Sequence, residues 1–136
     1  MTQATAVLPQ APPTTAPMIR VTAIPAHTNV YGDIFGGWLM SQMDLAASSV
    51  ASLHARGRAV TVSVESMSFH RAVFVGDEVS VFAELTSVGR SSMKADVQAW
   101  ARNRHEDEAN LVTRAEFTFV AISADRRPRP VAPLSR

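Results

Sequence analysis

One acidic residue stands out in an otherwise uncharged part of the sequence. Between Ile34 and Leu53, Asp44 is the only charged side chain, among glycine, alanine, serine and apolar residues. A carboxylate held away from water is costly unless it is paired or hydrogen-bonded, and its removal from water makes it a stronger base. Asp44 is therefore a candidate general base. The alternative is equally open: a carboxylate that caps or pairs with a neighbour and does no chemistry.

Other catalytic groups are scarce. The chain contains no cysteine, which excludes disulfides, thiolate metal sites and a cysteine nucleophile. Its four histidines show no metal-ligand spacing, so we expect no metal and no other cofactor. We interpret His27 as a loop hydrogen-bonding residue and His54 as a favourable charge at a helix end. No Gly-x-Ser-x-Gly motif is present, which argues against a serine-hydrolase mechanism.

The apolar spacing predicts that Asp44 lies on a long helix that begins near Gly36 and Gly37. Asp33 is a plausible cap, and Gly57 is the predicted stop. The residues predicted to share the buried face are Leu39, Met43, Ala46, Val50 and Leu53. Small residues all round the helix predict packing on more than one side, as when a strongly curved sheet wraps a central helix.

The remaining segments alternate with a period of two and predict strands at 18–24, 60–69, 79–85, 93–99 and 111–122. The alternation changes phase near Glu65 and Ser66, which predicts a bulge. Turns are expected at Gly76, at Gly89 and in the acidic segment 106–108. One helix followed by four strands in antiparallel succession predicts an α+β fold.

A length of 136 residues fits one domain. We predict a disordered N-terminal tail at 1–17, a folded domain at 18–124 and a basic Pro/Arg tail at 125–136. The net charge of +1 gives no reason to expect a nucleic acid or a membrane surface as partner. Because no secretory signal and no apolar run of about 18 residues is found, we expect a soluble cytoplasmic protein.

A long motif, NVYGDIFGGWLMSQMD, runs from Asn29 to Asp44. Further motifs follow at 60–62 (VTV), 67–71 (MSFHR), 73–79 (VFVGDEV) and 88–92 (VGRSS). In this order they resemble the YciA-like acyl-CoA thioesterases of the hotdog-fold superfamily, over nearly the whole folded region. Ala72, where many relatives carry proline, and Tyr31 depart from the pattern, and neither is a proposed catalytic position.

The resemblance implies a hotdog fold, in which a curved antiparallel sheet wraps one long central helix. It implies hydrolysis of acyl-CoA to a free carboxylic acid and CoA. It also implies a homo-oligomer built from dimers, often a trimer of dimers and hence a hexamer. Active sites would lie at the dimer interface, where Asn29 of one subunit meets Asp44 of the other.

Within that reaction, Asp44 would activate water or attack the thioester directly to form an anhydride. Asn29 would orient the water or the thioester, and the backbone N–H of Gly37 would polarise the carbonyl group. The anionic end of CoA calls for basic and hydroxyl groups. The candidates are Arg90, Ser91, Ser92, Lys94, His70 and Arg71, and, less strongly, Arg126, Arg127 and Arg129.

Two other functions remain open from the sequence. A hotdog hydratase or dehydratase would pair a histidine with an acidic helix residue, and His27 with Asp44 is the available pair. A non-catalytic acyl-CoA sensor would bind the same ligand without turnover. Release of free thiol separates the hydrolase from both, because neither alternative breaks the thioester.

Overall fold

The computed structural model describes residues 8–135, so the predictions for residues 1–7 and 136 lie outside the described chain. The elements are β1 (Ile19–Thr22), a short 3₁₀ turn (Pro25–His27), α1 (Gly36–Ala55), β2 (Ala59–Phe69), β3 (Glu78–Val88), β4 (Ser92–Arg102) and β5 (Ala109–Ala121). All strand pairs are antiparallel. One helix against one sheet confirms the predicted α+β class.

The strand order differs from a simple succession. The sheet runs β1-β3-β4-β5-β2, so β2 lies at an edge beside β5 and not next to β3. Short turns join β3 to β4 and β4 to β5, so these three strands are neighbours in the sheet. β2 pairs with the other edge of β5. The expectation that all four strands follow one another in space is therefore wrong at the β2–β3 connection.

The buried face of α1 matches the predicted one at Leu39, Met43 and Ala46 and differs in the C-terminal half of the helix. Leu53 is 65% exposed, while three alanines at intervals of four residues, Ala47, Ala51 and Ala55, are buried. Small side chains on this face let the helix approach the sheet closely, which a leucine would prevent. Burial on more than one side is not found within one chain, because the outward face exposes Leu45 at 59%.

The start of α1 is not capped as predicted, whereas the helix ends next to the predicted stop at Gly57. The N-cap residue is Phe35, which makes no side-chain capping hydrogen bond, so Asp33 is not the cap. At the other end Arg56 adopts the left-handed conformation, with φ 56°, and Gly57 follows it. Gly57 also leaves room for Arg129, because a Cβ there would lie 2.6 Å from Nη2 of that side chain.

The segment after β5 is attached to the helix end. The Arg129 guanidinium donates to the carbonyl oxygen of Ala55 at 2.7 Å and to that of Ile122 at 3.2 Å. His54 Nε2 donates to the carbonyl oxygen of Ala132 at 2.7 Å. A guanidinium at the last carbonyls of a helix is favourable electrostatically. Arg129 is thus engaged in holding this segment to α1.

The predicted bulge in β2 is confirmed. The register with β5 shifts between Glu65 and Ser68, and Ser66 has a positive φ of 61°. A second shift, which the alternation did not reveal, lies between Thr61 and Ser63. Bulges bend and twist a strand, so both change the direction of the edge strand.

The sheet face opposite α1 carries a small apolar cluster of Phe82, Trp100 and Leu111. Pro12, from the segment that precedes β1, lies in a shallow pocket with Phe82 and Trp100. Beside this cluster Arg114 donates two hydrogen bonds to Asp96, at 2.8 and 3.3 Å, and this bonding raises the pKa of the Arg114 guanidinium. This face is therefore partly covered by the chain itself.

Candidate active site

Asp44 lies midway along α1 and faces the edge of the sheet. Its carboxylate Oδ1 accepts a hydrogen bond of 2.5 Å from the Thr61 hydroxyl on β2, and the residue is half-buried. A bond this short between a hydroxyl and a carboxylate is charge-assisted and stronger than a neutral one. Thr61 therefore orients the carboxylate while the other oxygen, Oδ2, stays available.

Thr61 was missed by the sequence reasoning. The alternation of Val60, Thr61 and Val62 indicated that the threonine and the valines point to opposite faces. It did not indicate that the threonine faces Asp44, which lies 17 residues earlier on another element. A residue pair across a helix and a sheet leaves no periodic signal in either segment.

Asn29 organises the loop that precedes the helix. Its side-chain Oδ1 accepts hydrogen bonds from the backbone N–H groups of Tyr31 at 2.8 Å and Asp33 at 3.1 Å. The backbone N–H of Asn29 donates to the carbonyl oxygen of Asp33 at 2.7 Å. This is the local turn that asparagine favours. Because Oδ1 is engaged, the amide NH₂ group is the part of Asn29 left to act on a ligand, as a donor.

Gly37 lies in the first turn of α1, where the backbone N–H groups have no carbonyl four residues earlier within the helix. The residue is exposed, and a Cβ at this position would lie 3.2 Å from the Phe35 ring. The positive end of the helix dipole adds to the attraction for a developing negative charge. The Gly37 N–H is thus placed to donate to an oxyanion.

Within one chain, Asn29 and Gly37 lie apart from Asp44 and Thr61. Asn29 and Gly37 lie at the N-terminal end of α1, whereas Asp44 comes seven residues after Gly37, about 10 Å further along the helix axis. One carbonyl group cannot contact both the Gly37 N–H and the Asp44 carboxylate of the same chain at hydrogen-bond distance. Direct contact of one carbonyl group with both therefore calls for groups from two copies of the chain.

The edge beside Asp44 is suited to such an arrangement. On β2, one of the two edge strands, Val60, Val62 and Val64 are 40%, 55% and 37% exposed. An edge strand with exposed apolar side chains and unpaired backbone groups favours pairing with another chain. The edge that carries Thr61, beside Asp44, is therefore a suitable surface for a second copy.

The predicted CoA-binding residues fall into two groups at opposite ends of the sheet. Ser92 pairs with Val120 on β5, whereas Phe69, next to His70, pairs with Thr113. Seven residues of strand separate these positions, or about 23 Å. The Arg90–Lys94 group and the His70–Arg71 group therefore do not meet within one chain.

Individual members of these groups differ in their surroundings. Lys94 forms an ion pair with Glu116 at 3.6 Å, which leaves its ammonium group close to solvent. Arg90 is exposed in the β3–β4 turn, and its carbonyl oxygen accepts from the N–H of Val131. Arg71 lines a small cavity beside the helix N-terminus, together with Gly36 and Phe69.

His27 contacts Trp38 and not Asp44. Its ring stacks on the indole, with ring centroids 4.7 Å apart and an interplanar angle of 17°. The carbonyl oxygen of His27 accepts from the N–H of Phe35, which holds the loop to the start of α1. Across residues 8–135 no three histidine or acidic side chains come together as a metal site requires, and no described helix is long and apolar enough to span a membrane.

Comparisons with known proteins show which proteins this chain resembles. The family model of the thioesterase superfamily matches residues 31–108. An uncharacterized acyl-CoA thioester hydrolase of Zymomonas mobilis is 52% identical over 90% of this chain and 83% of its own. The acyl-CoA thioester hydrolase YciA of Salmonella typhimurium is 42% identical over 84% of this chain and 88% of its own.

Solved structures have the same architecture. HI0827, described as a hexameric broad specificity acyl-coenzyme A thioesterase, superposes with a TM-score of 0.82 at 42% identity, over 89% of this chain and 84% of that chain. An acyl-CoA hydrolase of Staphylococcus aureus, solved with butyryl coenzyme A, gives a TM-score of 0.80 at 29% identity, over 86% of this chain and 71% of that chain. The fold expected from the sequence motifs is confirmed.

Proposed function

Because this chain belongs to the thioesterase superfamily, as a YciA-like acyl-CoA thioester hydrolase with the hotdog fold, we propose that each active site is shared between two copies. Asp44 and Thr61 come from one copy, and Asn29 and Gly37 come from the other. The observation that supports this most directly is the position of Asp44, hydrogen-bonded at the free sheet edge and two helical turns from the Gly37 of its own chain.

In this arrangement Asp44 takes a proton from water as the water oxygen attacks the thioester carbon. The carbonyl oxygen becomes an oxyanion, which the Gly37 N–H and the Asn29 amide stabilise as donors. Collapse of the intermediate breaks the C–S bond, and the CoA sulfur takes the proton that Asp44 holds. The products are the free acid and CoA, and Asp44 is again a carboxylate. Direct attack by Asp44 would give an anhydride that water then hydrolyses, and the residues present serve either route.

The assembly we propose is a homo-oligomer of dimers that form through the β2 edge, arranged as a trimer of dimers. Several structural neighbours, HI0827 among them, are described as hexameric. The CoA-binding prediction supports more than one copy as well, since its two basic groups lie about 23 Å apart along one sheet. The anionic end of a single CoA would meet both groups only where different copies contribute them.

The test is Asp44→Ala, with Asp107→Ala as the control at an exposed acidic position on the β4–β5 turn. Thiol release from acyl-CoA should fall by orders of magnitude in Asp44→Ala and stay at the wild-type rate in Asp107→Ala. Both variants should keep the wild-type oligomeric state in size-exclusion chromatography with light scattering.

Near-normal thiol release from Asp44→Ala would remove Asp44 from the mechanism. Absence of thiol release from the wild-type protein, with the acyl-CoA bound or altered while its thioester stays intact, would instead favour the sensor or the hydratase.

A further inference from the structure

The loop before α1, residues 27–35, is attached to the helix by an aromatic contact. His27 lies at the start of this loop, and its ring stacks on the indole of Trp38, with ring centroids 4.7 Å apart and an interplanar angle of 17°. Asn29 follows His27 by two residues, and Gly37 immediately precedes Trp38. The stack therefore joins the close neighbours of the two oxyanion donors.

We propose that His27 is a positioning residue for thioester hydrolysis, because its stack on Trp38 fixes the Asn29 amide relative to the Gly37 N–H. The inference rests on the proposed function, since it takes both groups to stabilise the oxyanion. Donors stabilise an oxyanion when they lie about 2.7–3.1 Å from the position that it will occupy. Two donors on different elements meet that condition together only if the elements are held in a fixed relation.

The two limbs of the loop are attached to the rest of the domain in different ways. The second limb continues directly into α1, and Ile34 within it is buried and donates its N–H to the carbonyl oxygen of Val73. The first limb begins in the 3₁₀ turn, which has no buried residue. It is joined to the helix start at His27, by the hydrogen bond from the Phe35 N–H at 2.7 Å and by the ring stack.

Hydrogen bonds inside the loop set its shape and not its place. The partners of Asn29, which are the backbone groups of Tyr31 and Asp33, belong to the same loop. The tip lies in solvent, where Val30 is 91% exposed and Tyr31 is 86% exposed. A loop of this kind moves as one unit about its base, so the contacts of His27 at the base decide where the Asn29 amide lies.

Trp38 provides a fixed surface for the histidine ring. It lies in the first turn of α1, is half-buried and packs against the core of the domain. A stacked aromatic pair can favour the attached loop over a displaced one by about tenfold at most. Because His27 itself belongs to a turn without buried residues, its replacement removes the stack and opens no cavity in the core.

The experiment measures kcat and KM for thiol release by His27→Ala and His27→Phe. In His27→Ala, kcat should fall about three- to tenfold, and KM should stay near its wild-type value, because oxyanion donors act mainly in the transition state. His27→Phe keeps a flat ring without the imidazole, and it should retain most of kcat. His105→Ala is the matched control, at an exposed histidine of the β4–β5 turn, and should leave kcat unchanged.

A second comparison separates positioning from a loss of folded protein. Asn29→Asp already lacks the amide donor, so adding His27→Ala to it should lower kcat no further. A loss of folded protein would lower kcat by the same factor in both backgrounds, and that result overturns the inference.

Two other results overturn it as well. One is an unchanged kcat in His27→Ala. The other is an equal loss in His27→Phe and His27→Ala, which would indicate proton transfer by the imidazole and not stacking. An unchanged kcat in Asp44→Ala would instead contradict the proposed function, on which this inference rests.

Discussion

Replacing Thr61 by valine tests how far the orientation of Asp44 limits the reaction. Valine keeps the shape and the strand preference of threonine but removes the hydroxyl that donates to Asp44 Oδ1 at 2.5 Å. A hydrogen bond to a charged group contributes about 1.5–3 kcal/mol. If that energy holds the carboxylate in its reactive position, its loss lowers kcat by about 10- to 150-fold.

The assay is thiol release under saturating and limiting acyl-CoA, so that kcat and KM are obtained separately. Thr61→Val should lower kcat with little change in KM, because the hydroxyl contacts the carboxylate and not the substrate. Thr61→Ser should restore most of kcat, since serine keeps a donor. Thr118→Val is the control, on the neighbouring strand and without a contact to Asp44.

Two results would refute this reasoning. One is an unchanged kcat in Thr61→Val together with a lower thermal midpoint, which would make Thr61 a structural residue only. The other is an equal loss in Thr61→Ser and Thr61→Val, which would show that the hydroxyl has no positioning role.

Three further predictions follow from single contacts. Asn29→Asp keeps the loop acceptor but loses the amide donor, so kcat should fall about 10²- to 10³-fold with the thermal midpoint nearly unchanged; an unchanged kcat would remove Asn29 from oxyanion stabilisation. Val62→Lys places a charge on the exposed β2 edge, and light scattering should show monomers with little thiol release; an active monomer would contradict the shared site. Gly57→Ala displaces Arg129 and should lower the free energy of unfolding by about 1–2 kcal/mol, seen as a lower midpoint in calorimetry. Gly57→Ala and Arg129→Met should remove the same hydrogen bonds, so losses that add up in the double variant would contradict this.

Local chemistry made much of the fold predictable. The strands were found because half-buried strands alternate in the sequence, and the phase change at Glu65 and Ser66 marked a real bulge. The helix was found because its apolar residues recur at three and four positions. In each case the signal lies within one segment of the chain.

Contacts between segments were not predictable in the same way. Leucine looked like a better core residue than alanine, yet close packing of α1 on the sheet buries Ala51 and leaves Leu53 exposed. The position of β2 beside β5 depends on which strand edges remain free, and alternation carries no information about that. The helix stop at Gly57 was predictable from the local sequence, whereas its close approach to Arg129, which follows β5, was not.

The residues of the candidate site differ in the same way: those with a signal within one segment were predictable, and those defined by a contact between segments were not. Asp44 was noticed because a lone carboxylate in an apolar helix needs an explanation. The motif then supplied Asn29, and Gly37 followed from its place at the helix N-terminus. Thr61 remained hidden because its contact with Asp44 crosses from helix to sheet. The division of the site into two distant pairs became visible only once helix geometry set Gly37 and Asp44 about 10 Å apart.

Mixing two inactive variants tests most directly whether one site uses two copies. We predict that Asn29→Asp and Asp44→Ala, co-expressed in equal amounts, recover about one quarter of wild-type thiol release, because half of a two-fold symmetric dimer population is mixed and each mixed dimer has one intact site. Asp44→Ala mixed with Thr61→Val should release thiol no faster than the average of the two single variants. The reason is that Asp44 and Thr61 of each site come from the same copy, so no site in a mixed dimer is intact. Recovery in the first mixture but not in the second is the expected result. Thiol release from the first mixture no higher than the average of its two parents would contradict the shared site.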